Sequence, residues 1–249
     1  MNGRALVFSL LLACAAPLFA SDESDTTRIL LPNMLQGAVT EIEPLLRSRA
    51  GVPLQIEYVQ MAKLVERLGK GERADVTVVN RAATQQLAAQ GRVKSQTELV
   101  QSELGLAVAD TAPAPVLKTT EDFIAFLRAT PSIAYFGTGA SGAVFTAFLE
   151  KHGLTEVIKA KATVVTDGSA SSLVRDGKVA SAIQPVSELK FGGANNVVPL
   201  PDSAQARSIS SVVVFNNARA EVTDRIVQVL MSDEAAAAYR RAGLMPMFK

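Results

Sequence analysis

The stretch Ile133-Ala134-Tyr135-Phe136-Gly137-Thr138-Gly139-Ala140-Ser141-Gly142, continued by Ala143-Val144-Phe145-Thr146-Ala147-Phe148-Leu149, reads as a buried strand, a glycine-broken turn and an amphipathic helix. At such a junction the first N–H groups of the helix lack intrahelical partners and lie at the positive end of the helix dipole, so the natural guest is an anion. The hydroxyls of Thr138 and Ser141 add neutral donors. No Lys follows the glycines, as a phosphate-binding P-loop requires, and the third glycine and the ribose-binding acid of the dinucleotide fingerprint are not in place. Two readings stay open for the loop alone: glycines that only supply a tight turn, or an anion cradle.

Working outward, short apolar runs alternate with helical patterns, the mark of parallel α/β structure. Strands are expected at 28–31, 54–59, 75–79, 104–109, 132–136, 163–165, 179–183 and 210–215. Thr119 and Asp122 form a capping box ahead of the next helix, glycines stop the helices near Leu68-Gly69 and Gln90-Gly91, and Ser169 is placed to cap a helix start. Pro44 either kinks its helix or marks the first turn. Connector-like stretches, Asp110-Thr111-Ala112-Pro113-Ala114-Pro115 and Pro199-Leu200-Pro201-Asp202-Ser203, divide the chain into two lobes, 21–108 plus 210–249 and 109–209, with a ligand cleft between them.

The amino end carries Arg4, an apolar run from Ala5 to Ala16, and Pro17-Leu18-Phe19-Ala20 before the polar Ser21-Asp22-Glu23-Ser24. This is too short for a membrane span and matches a cleavable secretory signal over residues 1–20, which sends the mature protein to the periplasm. Lipoprotein processing at Cys14 is the weaker alternative, because apolar residues rather than a polar tether follow it. Cys14 is the only cysteine, so the mature chain has no disulfide and no thiol ligand. With His152 as the only histidine, a zinc centre or a Ser/His/Asp triad is not expected, and no metal is assigned. His152 itself reads as a cation at a helix end. Lys and Arg (25) balance Asp and Glu (24) without clustering, which gives no reason to expect nucleic acid or a membrane surface as partner.

Four segments together resemble the ModA-like, molybdate-binding type of extracytoplasmic solute-binding protein: Gly71-Glu72-Arg73-Ala74-Asp75-Val76, Ser102-Glu103-Leu104-Gly105-Leu106-Ala107-Val108, the glycine loop, and Val174-Arg175-Asp176-Gly177-Lys178-Val179-Ala180. The carboxy-terminal Leu230-Met231-Ser232-Asp233-Glu234-Ala235-Ala236 and Gly243-Leu244 resemble that family's last helices. The resemblance implies a two-lobed α/β type II periplasmic-binding fold, a hinge, an inter-lobe cleft that closes on one small anion, an ABC permease as protein partner, a monomer, and no cofactor.

The chain departs from the molybdate pattern where serines are expected. Those loops read Pro32-Asn33-Met34-Leu35-Gln36-Gly37 and Gln60-Met61-Ala62. Asn33, Gln36 and Gln60 offer amide donors, while Met34 and Met61 offer apolar surface, a combination suited to a carbon skeleton. Arg81, after the third strand, either grips a carboxylate or is a solvated side chain at a helix start. Gln184 and Ser187 follow a strand and are candidate cleft donors. The expected ligand-binding set is therefore Asn33, Met34, Gln60, Arg81, Thr138, Gly139, Ala140, Ser141, Gly142, Gln184 and Ser187. The family's relatives include a periplasmic aconitate isomerase, which makes an allylic isomerase the alternative to a binding protein. Its candidate bases are Glu188, Asp167 and Tyr135, and no catalytic residue is assigned.

Overall fold

A computed structural model describes residues 26–137, 139–166 and 168–249. The expected signal segment 1–20, Cys14, Thr138 and Asp167 lie outside the described residues. In chain order the elements are β1 (Thr27–Pro32), a 3-10 turn (Asn33–Leu35), α1 (Gln36–Ala50), β2 (Leu54–Val59), α2 (Met61–Gly69), β3 (Val76–Asn80), α3 (Arg81–Ala89) and β4 (Val93–Ser102). Then come β5 (Leu104–Val108), α4 (Thr120–Ala129), β6 (Ile133–Phe136), α5 (Gly139–Lys151), α6 (Thr155–Lys159), β7 (Ala162–Val165) and α7 (Ala170–Arg175). The chain continues through β8 (Ser181–Pro185), α8 (Val186–Phe191), β9 (Val197–Pro199), a second 3-10 turn (Asp202–Ala204), β10 (Ser208–Phe215), α9 (Ala220–Leu230), α10 (Asp233–Ala242) and β11 (Met245–Pro246).

These strands form two mixed sheets. One has the order β11-β4-β10-β3-β1-β2 and the other β7-β6-β8-β5-β9. Within the first, β1 runs parallel to β2 and β3, and β10 enters antiparallel between β3 and β4. Within the second, β6 is parallel to β7 and β8, while β5 is antiparallel to β8 and β9. The apolar runs of β1 and β6 follow from burial on both faces. Alternate residues serve opposite layers: Ile29 and Leu31 pack with α1, α9 and α10, whereas Leu30 packs with α2 and α3. In β6, Ile133 and Tyr135 join the α4–α5 layer, and Ala134 and Phe136 the layer beneath α7.

The eight expected strands are all present, and the Thr119–Asp122 capping box starts α4. Pro44 lies inside α1. Two expectations need correction. The ten-residue β4 was not anticipated, because residues 94–98 are polar and exposed and lack the period-2 apolar pattern. Its place comes from pairing with β10. The boundary expected at 108/109 lies earlier in the sheets: β4 ends in the first at Ser102 and β5 begins in the second at Leu104. The chain returns into the first sheet at Ser208, so the expected strand 210–215 begins two residues sooner.

The two crossings run side by side. The Gln205 side chain accepts a hydrogen bond from Leu104 N–H (2.5 Å) and donates to the carbonyls of Leu104 (3.1 Å) and Leu200 (3.2 Å). Ser102 Oγ donates to Ser208 O at 3.4 Å. A second bridge is α8, which grows from β8 in one sheet and packs on α1 and α10 of the other. Phe191 lies over Gly37, and Lys190 Nζ donates to Arg241 O at 3.2 Å.

Candidate ligand-binding cleft

A cavity of about 410 Å³ lies where the carboxyl ends of β1, β2, β3, β6 and β8 converge, the position at which open α/β sheets hold their ligands. The first sheet contributes Pro32, Met34, Gln60, Met61, Ala62, Val65 and Asn80. The crossings contribute Ser102, Glu103, Leu104, Ala206 and Ser208, and the second sheet Phe136, Gly139, Ser141, Pro185 and Glu188. The volume suits a small organic molecule.

The glycine loop acts as a sharp corner between β6 and α5. Gly139 opens the helix with φ +76°, a conformation that L side chains rarely adopt. Gly142 passes so close to the end of β6 that an added Cβ would lie 2.3 Å from Phe136 O and 2.9 Å from Gly137 C. The backbone of α5 is thereby brought against the strand, and Ser141 reaches the cavity from the helix's first turn. Ala140 follows Gly139 in the same turn.

Across the cavity, Gln60 stands immediately before α2 but makes no side-chain cap, which leaves its amide free to serve the cavity. Asn80 does cap its helix: its Oδ1 accepts from Ala83 N–H at 2.9 Å. Met34 and Met61 supply the apolar wall read from the sequence.

Four expected residues do not line the cavity: Asn33, Arg81, Gln184 and Ser187. Gly142 does not line it either, and acts through the close approach just described. Asn33 sits in the 3-10 turn between two residues that do line it. The carboxylate-gripping reading of Arg81 is corrected. Its guanidinium is largely exposed and pairs with Glu98 of β4 at 2.7 Å. Arg81→Ala is expected to leave ligand affinity unchanged within about twofold and to cost less than about 1 kcal/mol, as exposed pairs do; calorimetric titration and a thermal melt check both.

Gln184 has a supporting role. It is buried, and its Oε1 accepts from Ala170 N–H (2.8 Å) and Ser171 N–H (3.3 Å), so a side chain from β8 caps α7. Ser169, expected to do this, makes no cap; its Oγ bonds Ser171 Oγ at 2.7 Å. With its oxygen committed, Gln184 can only turn its amide nitrogen the other way, and Nε2 donates to Glu188 Oε2 at 2.9 Å. Ser187 Oγ is buried and finds no hydrogen-bond partner among the described residues. Glu188 lines the cavity, and burial pushes its carboxyl up to about 7, opposed by the weaker pull of the Gln184 hydrogen bond. A carboxyl so tuned exchanges a proton near neutral pH.

The crossing residues were absent from the expected set. Ser102, Glu103, Ala206 and Ser208 lie about a hundred positions apart in sequence, and what could have located them was the inference that two strands cross between the lobes.

A family model described as bacterial extracellular solute-binding protein matches residues 28–245. The chain belongs to the bacterial extracellular solute-binding protein family. Among curated proteins it is similar to an aconitate isomerase from Pseudomonas sp, 29% identical, with 97% of this chain and 96% of the relative covered. Among solved structures, this solute-binding chain is similar to the periplasmic molybdate-binding protein of Azotobacter vinelandii, with TM-score 0.70, 14% identity, and 88% and 98% of the two chains covered. It is also similar to the L-phospholactate-bound PEB3 of Campylobacter jejuni, with TM-score 0.62, 17% identity, and 88% and 99% covered. These likenesses establish the two-lobed α/β fold of periplasmic-binding proteins.

Proposed function

We propose that the protein is exported through its residues 1–20, captures a small anion in the cavity between its two sheets, and delivers it to the permease of an ABC importer, acting as a monomer with 21–102 plus 208–249 and 104–206 as its lobes. An organic carboxylate fits better than a bare oxyanion such as molybdate. The observation that carries this choice is the lining itself: Gln60, Ser141 and the start of α5 give neutral donors, while Met34, Met61, Val65, Leu104 and Phe136 give apolar surface for a carbon skeleton. Thr138 belongs to the same proposed donor set, as the residue between Gly137 and Gly139. Hinge motion at the paired crossings converts occupancy into a closed form that the permease can favour.

A second reading, an allylic isomerase of a small tricarboxylate, is favoured by one observation: Glu188 combines a cavity position with a proton affinity suited to moving a proton at neutral pH. The name of the Pseudomonas relative points the same way.

The two are separated in one preparation. Thermal shifts are recorded with molybdate, tungstate, sulfate, citrate and both aconitate isomers, since a ligand bound at 100 times its Kd stabilises by about 2.7 kcal/mol. A shift with carboxylates is expected, and a shift with molybdate or tungstate alone overturns the choice of an organic anion. Proton NMR of trans-aconitate incubated with the protein tests turnover: appearance of the cis isomer replaces the binding reading by the isomerase, and an unchanged spectrum removes the isomerase.

A further inference from the structure

Among the described residues, the cavity lining contains two carboxyl groups, Glu103 and Glu188, and no Lys, Arg or His. An anion entering this space meets no compensating cation there. Glu103 lies at the crossing, more than a third exposed, with Arg207 Nε at 3.8 Å. Glu188 has no such relief. It lines the cavity, and its side-chain hydrogen-bond partner among the described residues is Gln184, fixed in orientation because its oxygen caps α7.

Several charged groups on the helices packed against α8 are engaged elsewhere, Arg47 of α1 with Glu43 among them. Arg241 of α10 pairs with Glu41 of α1, Arg175 of α7 bonds Asp176 and Gly192 O, and Lys190 on α8 itself reaches Arg241 O. Strands β5, β8 and β9 carry no titratable side chain. One Glu188 oxygen accepts from Gln184, and the other has no hydrogen-bond partner among the described residues.

Resting on the reading of this cavity as an anion site, we propose that Glu188 holds the ligand as a carboxylic acid, donating its O–H to an oxygen of the anion, so that capture is coupled to uptake of one proton from solvent. Ionised, the same group would set two negative charges side by side in a cavity with no described cation to offset them. Protonated, it becomes one more neutral donor alongside Gln60 and Ser141. Burial without a charged partner already holds the free carboxyl near the ionisation midpoint at neutral pH, so the proton is available at modest cost. The site thereby selects its ligand by protonation state, binding more tightly as the medium acidifies.

Calorimetric titration of the full chain with citrate and with trans-aconitate tests this, at pH 8 in buffers of low and high ionisation enthalpy such as HEPES and Tris, and at pH 5.5 in MES. The expected result is an observed enthalpy that varies with buffer at pH 8, corresponding to nearly one proton taken up, and a Kd that rises about tenfold per pH unit above neutrality. Glu188→Gln, which presents an amide donor at the same place, is expected to bind with little pH dependence and without the wild-type excess of proton uptake. Buffer-independent enthalpy at pH 8, or proton uptake unchanged in Glu188→Gln, overturns the proposal while leaving anion binding intact. Absence of binding by both probes at both pH values overturns the anion-site reading and the proposal with it. The wild-type buffer series decides even if the variant fails to fold.

Discussion

Gly142→Ala is expected to raise the Kd for a bound carboxylate about tenfold or more, equivalent to about 1.4 kcal/mol, and to lower the melting temperature by several degrees. The added methyl would sit 2.3 Å from Phe136 O and 2.9 Å from Gly137 C, both backbone atoms at the end of a central strand. No rotamer change relieves such a contact, so α5 must move away from β6. Overpacking of this kind costs about 1–3 kcal/mol, and each kcal/mol lowers the melting temperature by about 2–4 °C in a chain of this size. Because Phe136, Gly139 and Ser141 all face the cavity from this corner, the same movement spoils the site. Gly137→Ala supplies the contrast. There the methyl would meet only Val164 Cγ1, at 2.7 Å, on a side chain that is half exposed and free to turn aside. Melting curves and titrations of the two variants should differ clearly, and equal behaviour would show that the close approach of α5 to β6 does not matter.

Gln184→Leu is expected to be the more damaging change to stability. It leaves the N–H groups of Ala170 and Ser171 without their acceptor beneath a packed layer. Each buried donor so orphaned costs on the order of 1–3 kcal/mol, so a melting temperature lower by about 5 °C or more is expected. The variant also removes the hydrogen bond that favours the ionised Glu188, and the carboxyl should then titrate higher than in the parent. Chemical denaturation measures the first effect, and the pH dependence of carboxylate binding the second. A variant as stable as the parent would mean that α7 finds another cap.

Much of the fold was legible because apolar runs bounded by glycines carry their own evidence. The β6–α5 junction is the clearest case, since the strand, the corner and the helix each leave a local mark. What local pattern could not reveal was pairing at a distance. The direction of Arg81 depended on Glu98, and Glu98 sits in β4, a strand whose polar residues 94–98 hide it until β10 is laid beside it. Gln184 and Glu188 stand four apart, a spacing visible in the sequence, but the use of Gln184 to cap α7 is a tertiary contact between residues 13 and 14 positions apart. Ser169 was the local solution for that cap, and the tertiary one prevailed. The crossing residues that complete the cavity were hidden for the same reason: their meeting needs both crossings to be placed at once.

Occupancy of the cavity between the two sheets by one small organic anion is read out by calorimetric titration of dialysed protein with citrate and trans-aconitate, set against molybdate. Saturable binding of one carboxylate per chain is expected, tighter than molybdate and weakened by Gly142→Ala. Tight molybdate binding with no response to either carboxylate would rule out an organic-anion site.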